Sequence, residues 1–483
     1  MVFCCINISS YKQDSLWSWF ICFCATTCMI LTIGFTFALG VLLPVFMDSF
    51  KENREKAAWV SSVTLATFLF LGPAIGVFVN RFGCRLATFT GCLTCSVALA
   101  LGSVAPNIIV LYLAFSILFG VGNTFVYISA PMIITQYFSK RRSVALGFVT
   151  AGQGLGTMIC GPVLQVLVGV FDWRKTFLIF SGVLGLSSLT GCLINHGNQE
   201  PTTTSNQGKK NHGKFSCDFS IWKNPIFLVL LAVGGLSNFS RMVPYVHLIK
   251  HCDDLGIPAD KSSTLFLFIG VFAAVGRLGA GCLCDIKRVN SLFLYQAAVF
   301  VMGTSTILFL QAKTYACLAA VVVVFSVADG LMVSTFIIVL FRSVQVSQRA
   351  VCLGFCMMSA GIFIVCSPPL SGYMADKFGN YMAAFLMAGT VAIFASFIPF
   401  VLRCVERKKD SDNHVAYLEE LMGKDENVPA TGSTSKSKDP SKITYHIELE
   451  SRDPIRTTLV RVSSKRPVSY MCAVESPFSP ITL

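Results

Sequence analysis

Three ionisable side chains lie inside long apolar runs of this 483-residue sequence: Arg241, Arg277 and Asp329. Of 25 acidic and 38 basic residues, these are the ones that fall clearly away from polar joints and termini. A charge at mid-bilayer costs at least about 2.5–3.5 kcal/mol, so such groups face a cavity or a partner. Arg277 follows the apolar stretch Val271–Gly276. A guanidinium suits a carboxylate, because its planar donors bond both oxygens and it stays charged. We therefore expect Arg277 to bind the carboxylate of a small organic solute. The competing assignment is a purely structural pair with Asp329. Arg241 lies nine residues before Lys250 and either joins the site or snorkels outward. Asp329 either balances Arg277 or takes up and releases a proton. If all three face one cavity, two cations meet one acid, and an anionic substrate neutralises the remainder.

The elements that must hold these groups follow from composition. The chain is 54% hydrophobic and 13% charged, with a mean hydropathy of +0.67. Soluble domains carry about 25% charged residues. Helices of ~20 apolar residues span a bilayer core, whereas membrane barrels need short alternating strands, which are missing here. The sequence predicts an all-α integral membrane protein with twelve spans in two six-helix, pseudo-symmetric halves. The first half holds 18–46, 59–79, 86–105, 108–133, 144–170 and 176–194; the second holds 225–249, 262–284, 291–311, 315–341, 351–370 and 382–402. Its organisation is a cytoplasmic N-terminus (1–17), an N-terminal bundle (18–194), a polar cytoplasmic linker (195–224), a C-terminal bundle (225–402) and a disordered cytoplasmic tail (403–483). The net charge of +13 fits cytoplasmic Lys and Arg rather than nucleic acid. Basic residues are denser in the loops that face inward when both ends are cytoplasmic. All five Trp fall at or near span ends, where their rings favour the interface. The twenty Cys lack the paired spacing of a disulfide or metal framework and read as small packing residues.

The halves repeat. Gly76-Val77-Phe78-Val79-Asn80-Arg81 ends the second span, with Gly83 and Arg85 after it. Gly281 through Asp285 and Arg288 ends the eighth, about 205 residues later. Gly lets helices approach closely, and the polar groups bind helix ends. Arg142, Gly147, Gly152 and Gly156 form a second small-residue run leading through the fifth span. Duplicated halves place a site at their interface and rock around it. No Cys/His pair, paired carboxylates or metal-ligand spacing occurs in the spans, so an enzyme, a metal site and a cofactor are not expected. His247 reads as interfacial. In the tail, Ser463, Ser464 and Ser469 beside Lys465 and Arg466 are phosphorylation candidates, and Ile481-Thr482-Leu483 is a candidate terminal-carboxylate ligand.

The Gly76–Arg85 segment resembles the cytoplasmic signature of the major facilitator superfamily, with Asn80 where an Asp is usual. Tyr137–Gly147 leading into Ala151–Gly156, then Gly161-Pro162, Gln165 and Phe171–Arg174, resembles the monocarboxylate transporter family. So do Pro244-Tyr245-Val246, Pro368–Gly372 and Asp376–Gly379, and the opening Asp14–Trp19, which lacks the family's Gly. The resemblance covers about 14–402. It implies a carrier of monocarboxylates or related solutes in the plasma membrane, Arg277 as the substrate-binding residue, a possible proton partner and an accessory membrane glycoprotein. Proton-coupled members carry an Asp at the position of Ala273 and a Lys at that of Phe37. Both losses imply a carrier of larger or aromatic amino-acid-like solutes without proton coupling. A non-transporting sensor on the same fold is the other alternative.

Overall fold

The computed structural model describes residues 13–194, 219–286, 288–378, 381–400, 446–450 and 459–463. Residues Met1–Val405 hold the membrane unit, and Glu406–Thr482 form a second unit, described separately below.

The first span is α1 (Leu16–Ala38), which tightens through a 3₁₀ turn at Leu39–Leu42 into α2 (Leu43–Phe50). Ser15 starts it, its hydroxyl accepting from the Ser18 amide at 3.3 Å. Next come α3 (Arg54–Phe70) and α4 (Gly72–Ser103). α4 is continuous in its hydrogen bonds but breaks direction at Gly83, whose φ of 84° and ψ of 163° lie outside the helical range. Only a residue without a Cβ adopts that conformation cheaply. α3 with the first turns of α4 therefore makes the second span, and the rest of α4 the third. α5 (Ile108–Leu111) runs through a π segment (Tyr112–Ile117) into α6 (Leu118–Tyr137), completing the fourth. α7 (Arg142–Phe171) and α8 (Trp173–Leu193) end the half.

The second half comprises α9 (Pro225–Asp254), α10 (Ala259–Asp285), α11 (Ser291–Leu308), α12 (Tyr315–Ser343), α13 (Arg349–Phe378) and α14 (Met382–Phe397). Among the described residues, ten helices are long and apolar enough to cross a membrane. The other two spans are α3, 17 residues before the kink, and α14, 16 residues as described. The molecule is thus the expected twelve-helix membrane protein. Hydroxyls within spans bond back to their own helix, as Thr26 does to the Cys22 carbonyl at 2.8 Å, which is how polar side chains persist in apolar runs.

Each half has its own aromatic core. Phe35 meets Phe115, Phe119, Phe177 and Phe180 in the first, and Phe309 meets Phe325 and Phe385 in the second. Trp173 corrects the expectation that every Trp sits at the lipid interface. It is fully buried against Phe46, Phe50 and Phe177, because α2 folds over the end of α8. The described cysteines are free thiols.

Residues 195–218 of the expected linker, and most of the tail, lie outside the described residues. So do Ser464, Ser469 and Ile481-Thr482-Leu483. Within the segment expected to be disordered, β1 (His446–Glu450) and β2 (Leu459–Ser463) pair antiparallel, His446 opposite Ser463 and Glu450 opposite Leu459. β1 alternates polar and apolar residues throughout and β2 does so from Val460 to Ser463, the period of a strand.

Candidate functional site

The apolar-run charges converge, but not in the expected pairing. α9 carries Asn238, Arg241 and Tyr245 at a spacing of three and then four residues, which puts them on one helix face. α12 brings Asp329 against that face. Arg241 Nε lies 3.0 Å from Asp329 Oδ1, an ion pair whose N–H is misaligned for a hydrogen bond. The Tyr245 hydroxyl donates to Asp329 Oδ2 at 3.2 Å. Arg241 Nη1 donates to Asn238 Oδ1 at 3.3 Å, and its guanidinium lies 5.4 Å from the Tyr245 ring centroid. Arg241 therefore points inward, not to the interface. It is 8% exposed, and Asp329 is fully buried.

Arg277 is not paired with Asp329. It is 2% exposed, and among the described residues no carboxylate lies within 4.0 Å of it. Its Nη1 reaches the Thr150 carbonyl of α7, in the other half, at 3.5 Å. Gly154, one turn on, admits the guanidinium: a methyl there would lie 2.7 Å from Nη1. Its Nε has no hydrogen-bond partner among the described residues. α10 and α12 pack backbone to backbone here, with Gly330 against the Ala273 carbonyl, so Arg277 and Asp329 sit on touching helices.

A central cavity of about 120 Å³ lies between the halves. Its polar wall is Tyr127, Gln153, Asn238 and Arg241; its apolar wall includes Phe37, Phe68, Phe336 and three methionines, Met242, Met332 and Met357. Arg241 thus lines the cavity, while Arg277 and Asp329 stand behind its wall. Arg277 was expected to face it directly. Its guanidinium instead rests on α7 because Gly154 leaves room there. Asn238, Tyr245, Gln153 and Tyr127 were not assigned to the site from sequence, although Gln153 and Tyr245 lie in the motifs quoted above and a polar side chain inside an apolar run is a readable signal.

At one end of the bundle the halves are zipped together. A methyl on Gly72 would lie 2.5 Å from the Gly354 carbonyl oxygen, one on Gly76 2.6 Å from that of Ala350, and one on Gly281 2.7 Å from that of Ser143. Gly147 abuts the Arg277 carbonyl. Gly152 and Gly156 pack instead within the first half, on Thr26 and Ile30 of α1. Asn80 Nδ2 donates across the halves to the Ser347 carbonyl at 2.7 Å. Its counterpart Asp285 accepts from the Val144 amide at the start of α7 at 3.4 Å. The Asn80 amide donates here where a carboxylate has no proton to give. Arg142 donates to the Phe138 and Thr135 carbonyls, holding the α6–α7 turn. Arg342 ties α12 to Ser143, Cys284 and Ser291. Arg81 stacks on Phe82, Arg288 is exposed and Arg85 half-buried, so these three make no cross-half bond among the described residues.

Asp14, before α1, belongs to the same end. Its carboxylate accepts from the amides of Ser139, Lys140 and Arg141 at 3.1–3.3 Å and from the Ser139 hydroxyl at 3.0 Å. Slight burial raises its pKa, but these donors outweigh that and hold it below the usual carboxylate range.

The sequence matches the model of the Major Facilitator Superfamily over residues 22–354. It is 28% identical to human Monocarboxylate transporter 10 over 454 residues, covering 88% of this chain and 87% of that protein. Mouse Monocarboxylate transporter 4 is 26% identical over 406 residues, covering 82% and 86%. In fold, the chain is similar to the Escherichia coli fucose:proton symporter, with a TM-score of 0.64 at 14% identity, over 79% of this chain and 98% of that one.

Proposed function

This chain belongs to the Major Facilitator Superfamily and is related in sequence to monocarboxylate transporters, and from that premise we propose that it carries small carboxylate-bearing solutes by alternating access. The carrying observation is Arg277: a buried cation with no acid partner among the described residues, behind the wall of a cavity that both halves line. A solute carboxylate entering beside Arg241 draws the Arg277 guanidinium off the Thr150 carbonyl, exchanging one long hydrogen bond for a charged, bidentate one. Arg241 and Gln153 orient the polar end of the solute, and the Phe and Met wall takes its apolar body. The zipped end, with its Arg81, Arg142 and Arg288, faces the cytoplasm in this reading, at the plasma membrane. Separation of the Gly72–Gly354 and Gly147–Arg277 contacts then opens the inner path.

The test is uptake into proteoliposomes of purified chain, with a panel from pyruvate to phenylpyruvate, with phenylalanine alongside. Arg277→Ala is expected to reduce carboxylate uptake at least a hundredfold, the order of a lost buried charge pair. Unchanged uptake in that variant removes Arg277 from the mechanism, and saturable flux in the wild type excludes a non-transporting sensor. A preference for larger or aromatic amino-acid-like solutes is the second reading. It is favoured by Phe37 and Phe68 in the cavity wall and by the absence of an acid at Ala273, and phenylalanine outpacing pyruvate in the panel selects it.

A further inference from the structure

We propose that the zipped end holds a binding site for a phosphate group, built from Arg349 and Arg142 of opposite halves with Arg342 beside them. The site is independent of which solute the central cavity takes. Arg349 opens α13, is 9% exposed, and has an Nε without a hydrogen-bond partner. Among the described residues it forms no ion pair, and its guanidinium lies 5.8 Å from the Phe341 ring centroid on α12. The charged group whose field reaches it is another cation, Arg142, which opens α7 in the first half. Arg142 in turn feels Arg342 and Asp14. Three guanidinium groups thus gather where the halves close, and the acids near them are engaged. Asp14 accepts four hydrogen bonds from residues 139–141, and Asp285 accepts from the Val144 amide. Arg142 commits Nε and Nη2 to the Phe138 and Thr135 carbonyls, and Arg342 commits Nη1 and Nη2 to Ser291, Ser143 and Cys284. Arg142 Nη1, Arg342 Nε and the Arg349 fork remain without hydrogen bonds among the described residues. A carboxylate offers two oxygens in one plane, which a single fork takes up. A phosphate monoester offers three oxygens and a charge of about −2, so donors from separate helices bind it together. Arg142 and Arg349 also stand in the first turn of their helices, where the dipole favours an anion.

The site is tied to one state of the carrier. α7 and α13 belong to different halves, so opening this end carries Arg142 and Arg349 apart. The phosphate site is complete only while the end is closed. Empty, it sets two like charges against each other across the closing halves. Filled, it replaces that repulsion with charged hydrogen bonds to a shared anion. A ligand that binds one of two states draws the population toward that state. Phosphate therefore holds the zipped end shut and slows the opening of the path behind it.

The experiment measures the distance between spin labels at positions 81 and 288, on opposite halves, in the full chain held in nanodiscs. One arm uses phosphatidylcholine discs with inorganic phosphate, against sodium chloride at the same ionic strength to match screening. The other uses discs containing phosphatidic acid, with no free phosphate. The ratio of short to long distances is expected to rise about tenfold at saturating phosphate group, within the usual range for coupled sites. A rise in the first arm names free phosphate as the ligand, and a rise in the second names a lipid headgroup. No rise in either arm overturns the proposal. Arg349→Gln is expected to favour short distances already in chloride, because the repulsion is gone, and to ignore phosphate. A response that survives in that variant overturns the assignment. Arg349→Lys keeps the charge but not the fork, and covers the case in which Arg349→Gln does not fold. It is expected to need about tenfold more phosphate, the order of one lost hydrogen bond to a charged group. An unchanged requirement there overturns the assignment as well.

Discussion

Asp329 and Arg241 differ in what their removal leaves behind. Asp329→Asn takes the acid from Arg241 and leaves it beside an Arg277 that already has no carboxylate within 4.0 Å among the described residues, whereas Arg241→Gln leaves Asp329 beside Arg277 on a touching helix. Breaking a buried pair from one side costs about 3–5 kcal/mol when the survivor has no other partner. Asp329→Asn is thus expected to lower thermal stability in detergent by that order, and Arg241→Gln by clearly less. Equal losses would mean that Arg277 is out of Asp329's reach. At Asp14 the bound amides favour the charged carboxylate, so its native pKa lies below its unfolded value. Its stabilisation is present above about pH 4, the unfolded value, and is lost as pH falls through the native one. Asp14→Asn is expected to cost about 1 kcal/mol at pH 7, as lost helix-end carboxylates do, and clearly less at a pH below the native pKa. Melting curves of the variant and the wild type at both pH values measure the difference.

The helices are joined at the zipped end by contacts that tolerate no side chain and by a few directional bonds. Asn80 is the clearest of the latter, because its bond to the Ser347 carbonyl needs a donor. Asn80→Asp restores the superfamily's usual residue, yet here it sets a carboxylate against a carbonyl oxygen. The expected cost to the closed arrangement is about 1–3 kcal/mol, that of an unmet polar contact. Spin labels introduced at positions 81 and 288 as genetically encoded amino acids report it by pulsed electron resonance. The variant shifts the distribution to longer distances, and an unchanged distribution refutes a gating role for this bond. The elements themselves were largely legible, since apolar runs of 20 residues have few structures open to them in a bilayer. The break at Gly83, the α2 segment folding over Trp173 and the paired strands at 446–463 were not. Each depends on a turn or a pairing that hydropathy averages away.

For the whole molecule, each half carries its own aromatic core, and the halves meet through small residues and backbone. Membrane helices that are already inserted associate through such packing, without a hydrophobic drive from water. Separate chains 1–205 and 206–483, expressed together, are therefore expected to co-purify and to recover uptake. Failure to co-purify would show that the connection, and not the interface, holds the halves together.

The sequence by itself determined the environment and hence the architecture. Few charges and long apolar runs require spanning helices, and a motif returning after about 205 residues requires two related halves. It also determined which charges matter, because Arg241, Arg277 and Asp329 stand out against apolar neighbours. The partnerships were decided only by the tertiary structure. Asp329 lies 88 positions from Arg241 and 52 from Arg277 in the chain, so spacing says nothing of which cation it meets. That choice follows from helix rotation: the Asn238–Arg241–Tyr245 face turns toward α12, and Gly154 opens a place on α7 for the other guanidinium. Packing between helices sets those rotations, and packing is a property of the folded chain as a whole.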